Sequence, residues 1–169
     1  MGYLDQLKRT RRWLEKFENA SALTASTDIT LPSKKQDEYE DVLYAVFQNC
    51  WHLKDWIRND DTAPHKLRSA VRQVEKERKL DSLMLSADIA NGSKHLKIKP
   101  QFDRRGGKAQ AEIMVKVMDS LADATNSDAT VAFRYVIVEA SGKVTDALDL
   151  ARRALSDWEK LIKANGGTI

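Results

Sequence analysis

Apolar residues recur at steps of three and four through the first half of the chain, alternate strictly with polar ones further on, and return to helical spacing near the end. Over about residues 3–19, Leu4, Leu7, Arg11, Leu14 and Phe17 share one side, with Trp13 beside them. Lys8, Arg9, Arg12 and Lys16 fall opposite, which predicts an amphipathic helix with a solvated basic face. The stretch from Ala20 to Ser33 is rich in Ser and Thr, contains Pro32, and reads as a loop. A second helix is expected over about residues 36–59, where Tyr39, Leu43, Val46, Cys50, Leu53 and Ile57 form a seam widened by Phe47, Trp51 and Trp56. Asp60, Asp61 and Pro64 end it. Pro64 then opens a short, charged third helix over about residues 64–78. A fourth, over about residues 80–91, has Leu80, Leu83, Met84 and Ala87 as its apolar face and Gly92 as its stop.

The alternating pattern predicts three strands, over about residues 95–99, 110–118 and 130–139. Gly106-Gly107 and the polar run from Asp119 to Asp128 connect them, and Ser141-Gly142 ends the third. Thr145 or Asp146 caps a last helix over about residues 145–164, with Leu148, Ala151, Leu155, Trp158 and Ile162 as its seam. The expected class is therefore α+β. It is a helical bundle of about five helices with a small three-stranded antiparallel sheet inserted before the last helix, in one domain over residues 1–169.

Composition narrows the classes. Of 169 residues, 42% are hydrophobic and 31% charged, enough apolar material for a core and too much for a disordered chain. A single cysteine excludes a disulfide framework and a cysteine-rich zinc site. The net charge of +3 permits nucleic-acid binding without requiring it. No apolar run approaches the roughly 20 residues that span a bilayer. Charges recur throughout the first twenty residues, unlike a signal peptide, and Gln6 stands where a myristoylated Gly2 would call for Ser or Thr. A cytoplasmic protein with no membrane partner is expected.

Candidate chemistry lies beside two of the seams. On the second helix Gln48, His52, Asp55 and Asn59 follow at steps of four, three and four, as do Met84, Asp88, Asn91 and His95 on and just beyond the fourth. If those stripes pack face to face, His52, Asp55, Asp88, Asn91, His95 and Lys94 share one cleft. A histidine moves a proton near neutral pH, a carboxylate fixes its tautomer, and a lysine holds phosphate charge. Such a set suits phosphodiester cleavage without a metal or other cofactor. The same His and Asp residues would also make a mixed nitrogen–oxygen metal site, although no HExxH or clustered carboxylate pattern accompanies them. The plainer alternative is that these groups satisfy local backbone carbonyls. A secondary candidate is Arg58 with Asn59 and His65, an arginine and a histidine placed to meet across a helix-to-helix turn. Finally, Lys94, Lys97, Lys99, Arg104, Arg105 and Lys108 stand against one acid, Asp103. They form either a nucleic-acid phosphate contact or an edge strand whose lysines discourage aggregation.

The strings Cys50-Trp51-His52-Leu53-Lys54-Asp55-Trp56 and Ala87-Asp88-Ile89-Ala90-Asn91-Gly92-Ser93-Lys94-His95 resemble segments of small bacterial and phage-associated proteins. The helical frame around them is similar to the HEPN superfamily. That resemblance implies a helical bundle, a homodimer, and a metal-independent ribonuclease or RNA-binding component of a toxin–antitoxin or phage-defence system, with a cognate antitoxin or other protein as partner. The superfamily signature, an arginine followed after four to six residues by a histidine, is matched in spacing by Arg58 and His65, with the polar Asn59 between. The alternative function is a non-enzymatic interaction or oligomerisation module, with Trp13, Trp51, Trp56 and Trp158 as interface candidates.

Overall fold

The computed structural model describes residues 1–22, 25–26, 33–92, 110–118, 130–139 and 141–169. In chain order the elements are α1 (Tyr3–Ala22), β1 (Ala25–Ser26), α2 (Ser33–Asn59), α3 (His65–Glu77), α4 (Asp81–Gly92), β2 (Gln110–Met118), β3 (Thr130–Val138), β4 (Val144–Asp146) and α5 (Ala147–Ala164). The protein is mostly helical, with five helices and a small antiparallel sheet before the last of them. No helix among the described residues is long and apolar enough to cross a membrane.

The sheet differs from the expected three strands. Its body is one long antiparallel pair, β2 on β3, in register from Gln110 opposite Val138 to Met118 opposite Thr130. Two short strands share the other edge of β3: β1 pairs near its start and β4 near its end. The expected loop after α1 thus supplies a strand, because a two-residue match to Val131 and Ala132 suffices to complete an edge. The strand expected over 95–99 lies outside the described residues. The β3–β4 hairpin turns through Gly142, whose φ of +79° suits a residue without a Cβ. Asp146 rather than Thr145 caps α5, its carboxylate accepting from the backbone N–H groups of Leu148 at 2.9 Å and Asp149 at 3.0 Å.

Two apolar clusters hold these elements together. One gathers Cys50, Ile57, Leu67, Leu83, Trp158 and Ile162, so that α3 docks against α2 and α5. The other gathers Phe17, Leu43, Phe47, Ile89, Ile137 and Leu150, and through Ile137 it seats the sheet on the helices. Tyr39 of α2 meets Tyr135 of β3 with ring centroids 6.4 Å apart, extending that seat.

The fourth helix is where pattern and structure part most. Every residue from Ser82 to Ala90 is buried, not merely the face of Leu83, Met84 and Ala87. Its sequence explains this. Small residues such as Ala87 and Ala90 let neighbours approach on all sides, and its serines bond internally: Ser86 Oγ donates to the Ser82 carbonyl at 2.8 Å, and Ser82 Oγ donates to Asp157 of α5 at 2.6 Å.

At the opposite end the chain's first turn, the α2–α3 turn and the last residues close on one another. Asp60 accepts from the Tyr3 N–H at 2.8 Å, satisfying a donor of the first turn of α1, and from the Thr62 hydroxyl at 2.6 Å. The Tyr3 hydroxyl donates to the Thr168 carbonyl at 3.1 Å and accepts from the Thr168 N–H at 2.9 Å. A Cβ on Gly2 would stand 2.5 Å from Asp60 Oδ2, which gives that glycine a packing reason. The Thr62 hydroxyl, then the Tyr3 N–H, hold the Asp60 carboxyl below the usual range. A carboxyl made more acidic by folding stabilises above its ordinary value and loses that contribution as pH falls through the folded-state value. Replacing Asp60 with Ala is expected to cost about 1 kcal/mol at neutral pH. The gap from the parent protein should close as the pH drops below the ordinary aspartate value of about 3.9, measured by urea titration at each pH.

Candidate functional site

Cys50 marks where α2 meets α4. The Ser86 hydroxyl faces its sulfur, and so does the Trp158 indole N–H, which meets no oxygen acceptor. Burial pushes the Cys50 thiol up to about 12, against the pull of these two groups. The thiolate, the reactive form, is thereby suppressed. Iodoacetamide at mildly alkaline pH should therefore leave Cys50 unmodified in the folded protein and label it in urea. Labelling of the native protein at a free-thiol rate would contradict this packing.

The same contact locates the two polar stripes. A helix turns about 100° per residue, so His52, two positions after Cys50, lies about 200° around α2 from it. Asp88, two positions after Ser86, lies about 200° around α4 by the same geometry. Both residues thus lie on the side of their own helix away from that contact, and each is engaged in an interaction of its own. Asp88 is 0% exposed, whereas His52 is half-buried. A carboxyl enclosed in the bundle is closed to a substrate phosphodiester, so Asp88 does not serve the expected water-filled cleft. Asn91 is partly buried at the C-terminal end of α4.

Asp55 turns toward Lys54, whose Nζ donates to its Oδ1 at 2.7 Å. Lys54 is nearly buried, lies 3.7 Å from Glu75 of α3, and sits 4.8 Å from the centre of the Trp51 ring. Arg58 also reaches Glu75, at 3.0 Å. These three charges and their partner form an ion network that fastens α3 to α2, and they are structural. His65 is exposed at the start of α3, ten residues or about 15 Å along the axis from the glutamate that holds Arg58. Asn59 bonds back to the Asp55 carbonyl at 2.9 Å, a helix-end contact. Of the arginine–histidine pair read from spacing, Arg58 is engaged by Glu75 and His65 is exposed at the other end of α3. Lys94, His95, Lys97, Lys99, Arg104, Arg105 and Lys108 lie outside the described residues. Among the described residues, no group of three or more His, Cys, Asp or Glu is placed to hold a metal.

A different set does come together, on the face shared by α1 and α2. Gln6 and Thr10, each 1% exposed, interrupt the apolar seam of α1. Gln6 Nε2 donates to the Asn49 carbonyl at 2.9 Å and to its side-chain oxygen at 3.1 Å. Asn49 Nδ2 donates to the Ala45 carbonyl at 2.8 Å. The Thr10 hydroxyl bonds to the Gln6 carbonyl at 2.9 Å. The outer end of this chain is Arg9, which donates from Nη1 to Gln6 Oε1 at 3.2 Å and lies over Trp56, 5.7 Å from the ring centre. Seven residues on from Arg9, Lys16 lies over Trp13 at 4.4 Å. His52 lies on α2 between Asn49, which holds Gln6, and Trp56, which meets Arg9, at helical spacing from both. Trp13 and Trp56 keep partly exposed surface, whereas Trp51 and Trp158 belong to the interior, at 6% and 1% exposed. An interface built on all four indoles is excluded.

Spacing alone carried a signal for this face: Arg9, Trp13 and Lys16 follow at steps of four and three, interleaving cations with an aromatic ring. Gln6 and Thr10, one turn apart within the seam, were the second signal. Compared with family models, curated proteins and solved structures, the chain matches none.

Proposed function

We propose that the protein is an RNA-binding component, HEPN-like in its helical frame and at work in a toxin–antitoxin or phage-defence system, and that it meets RNA through the α1–α2 face. The observation that carries this reading is the pairing of Arg9 with Trp56 and of Lys16 with Trp13 on one partly exposed surface. Cations attract the phosphate backbone and aromatic rings take unstacked bases, so the interleaved pair is the chemistry that a nucleic-acid strand meets. Exposed Lys8 and Arg12 add positive charge on the same helix. Other cations are already committed: Arg11 to Glu159 at 2.6 Å, Arg152 to Glu18 at 2.8 Å and Arg58 to Glu75.

The geometry favours binding over cleavage. With Asp88 enclosed and Asp55 held by Lys54, neither carboxylate of the expected set is presented to a substrate beside His52. The test is fluorescence anisotropy with labelled RNA across a salt series, together with an incubation in EDTA. Affinity should fall steeply with salt. Trp56→Ala should weaken it about tenfold or more, on the scale of about 1–3 kcal/mol per stacked base. The RNA should remain intact in EDTA. Absence of binding at low salt would remove the reading, and cleavage abolished by His52→Ala would replace binding with catalysis.

A further inference from the structure

We infer that Arg9 is the phosphate-clamping residue of a site for single-stranded RNA, an inference that rests on the RNA-binding reading above. Arg9 is half-buried and fixed from two directions, by the Gln6 side-chain oxygen at 3.2 Å and by the face of Trp56. Gln6 is itself held at 1% exposure by Asn49, so the guanidinium is the outer end of a chain of hydrogen bonds rooted in the α1–α2 seam. An arginine ordered in this way has given up its rotamer freedom before a ligand arrives, which removes a usual cost of binding.

Gln6 accepts one hydrogen bond from Arg9, and a guanidinium has five N–H donors. The rest form the fork that fits a phosphate's oxygens. The planar guanidinium, 5.7 Å from the centre of the Trp56 ring, also offers a surface on which a base can stack. The platform needs a strand whose base faces are free. In a duplex those faces are covered by neighbouring base pairs, and the platform stays idle. Lys16 over Trp13, one and two turns further along α1, offers the second charge and ring along the same line.

Lysine keeps the charge at this position but has neither the fork nor the plane, so Arg9→Lys separates a clamp from a general attraction. The experiment compares a labelled single-stranded RNA oligonucleotide with its duplex, for the parent protein, Arg9→Lys, Trp56→Leu and Lys8→Ala. Thermal melts of each variant are recorded in parallel. The expected result is a preference for the single strand of at least about tenfold. Arg9→Lys and Trp56→Leu should both erase it, while Lys8→Ala should lower affinity for strand and duplex alike. Trp56→Leu keeps apolar bulk against the core, so it carries the test if Arg9→Lys melts early. Equal binding of strand and duplex by the parent protein would overturn the inference. So would an Arg9→Lys variant that binds as the parent does. In either case the RNA-binding reading survives, whereas a parent protein that binds neither probe removes both.

Discussion

A helix buried at every residue from Ser82 to Ala90 needs neighbours on all sides, and in this fold that helix is α4. Its burial from Ser82 to Ala90 obliges α2 and α5 to close around it and leaves the sheet to cover what they do not. The serines within it are tolerable only because each has an oxygen to donate to, Ser82 to Asp157 and Ser86 to the preceding turn. Once α4 is central, α2 is turned with Cys50 inward, and the half-buried His52 falls on the opposite side of that helix. The position of every candidate polar group on α2 follows from that rotation.

The rotation also divides the charges of α2 between two neighbours. On one flank Lys54, Asp55 and Arg58 are drawn to α3, where Glu75 serves both cations. On the other flank Asn49 and Trp56 meet α1, and among the described residues Arg9 pairs with no carboxylate, its partners being an amide oxygen and an aromatic face. A carboxylate would bring a net neutral, strongly hydrogen-bonded pair. An amide orients the guanidinium and leaves its charge intact. That difference makes the α1 side a surface for an anionic ligand and the α3 side a fastening.

Much of this was legible in the chain. The seam from Tyr39 to Ile57 and the seam of the last helix are long and regular, so their buried faces follow from period alone. Asp146 was one of two caps open to α5, and Ser141-Gly142 marked the hairpin. What could not be read is where helices lie relative to one another. Asp88 resembles a surface residue beside an apolar stripe, and only the enclosure of α4 makes it internal. His52 and His95 have matching stripes, but a stripe says nothing about the rotation of its helix within a bundle. Gln6 and Thr10 do not stand out in the chain, because polar residues inside a seam count against periodicity, although here they are the groups that lock α1 to Asn49 of α2. β1 is two residues long and has no pattern to detect.

The same blindness explains why spacing points to α2 and α4 and not to the α1–α2 face. Spacing along one helix favours pairs such as His52 with Asp55 or Arg58 with His65, because only those are visible in one dimension. The α1–α2 set is assembled across a hairpin, with Arg9 and Trp56 separated by 47 positions, and each member alone resembles ordinary surface. What distinguishes the set is energetic: Arg9 is held in place without a carboxylate partner among the described residues. Surface arginines are seldom held this way, since ordering a long side chain normally needs the compensation of an ion pair. Here the compensation comes from a buried amide and an indole face, and the positive charge remains available to a ligand.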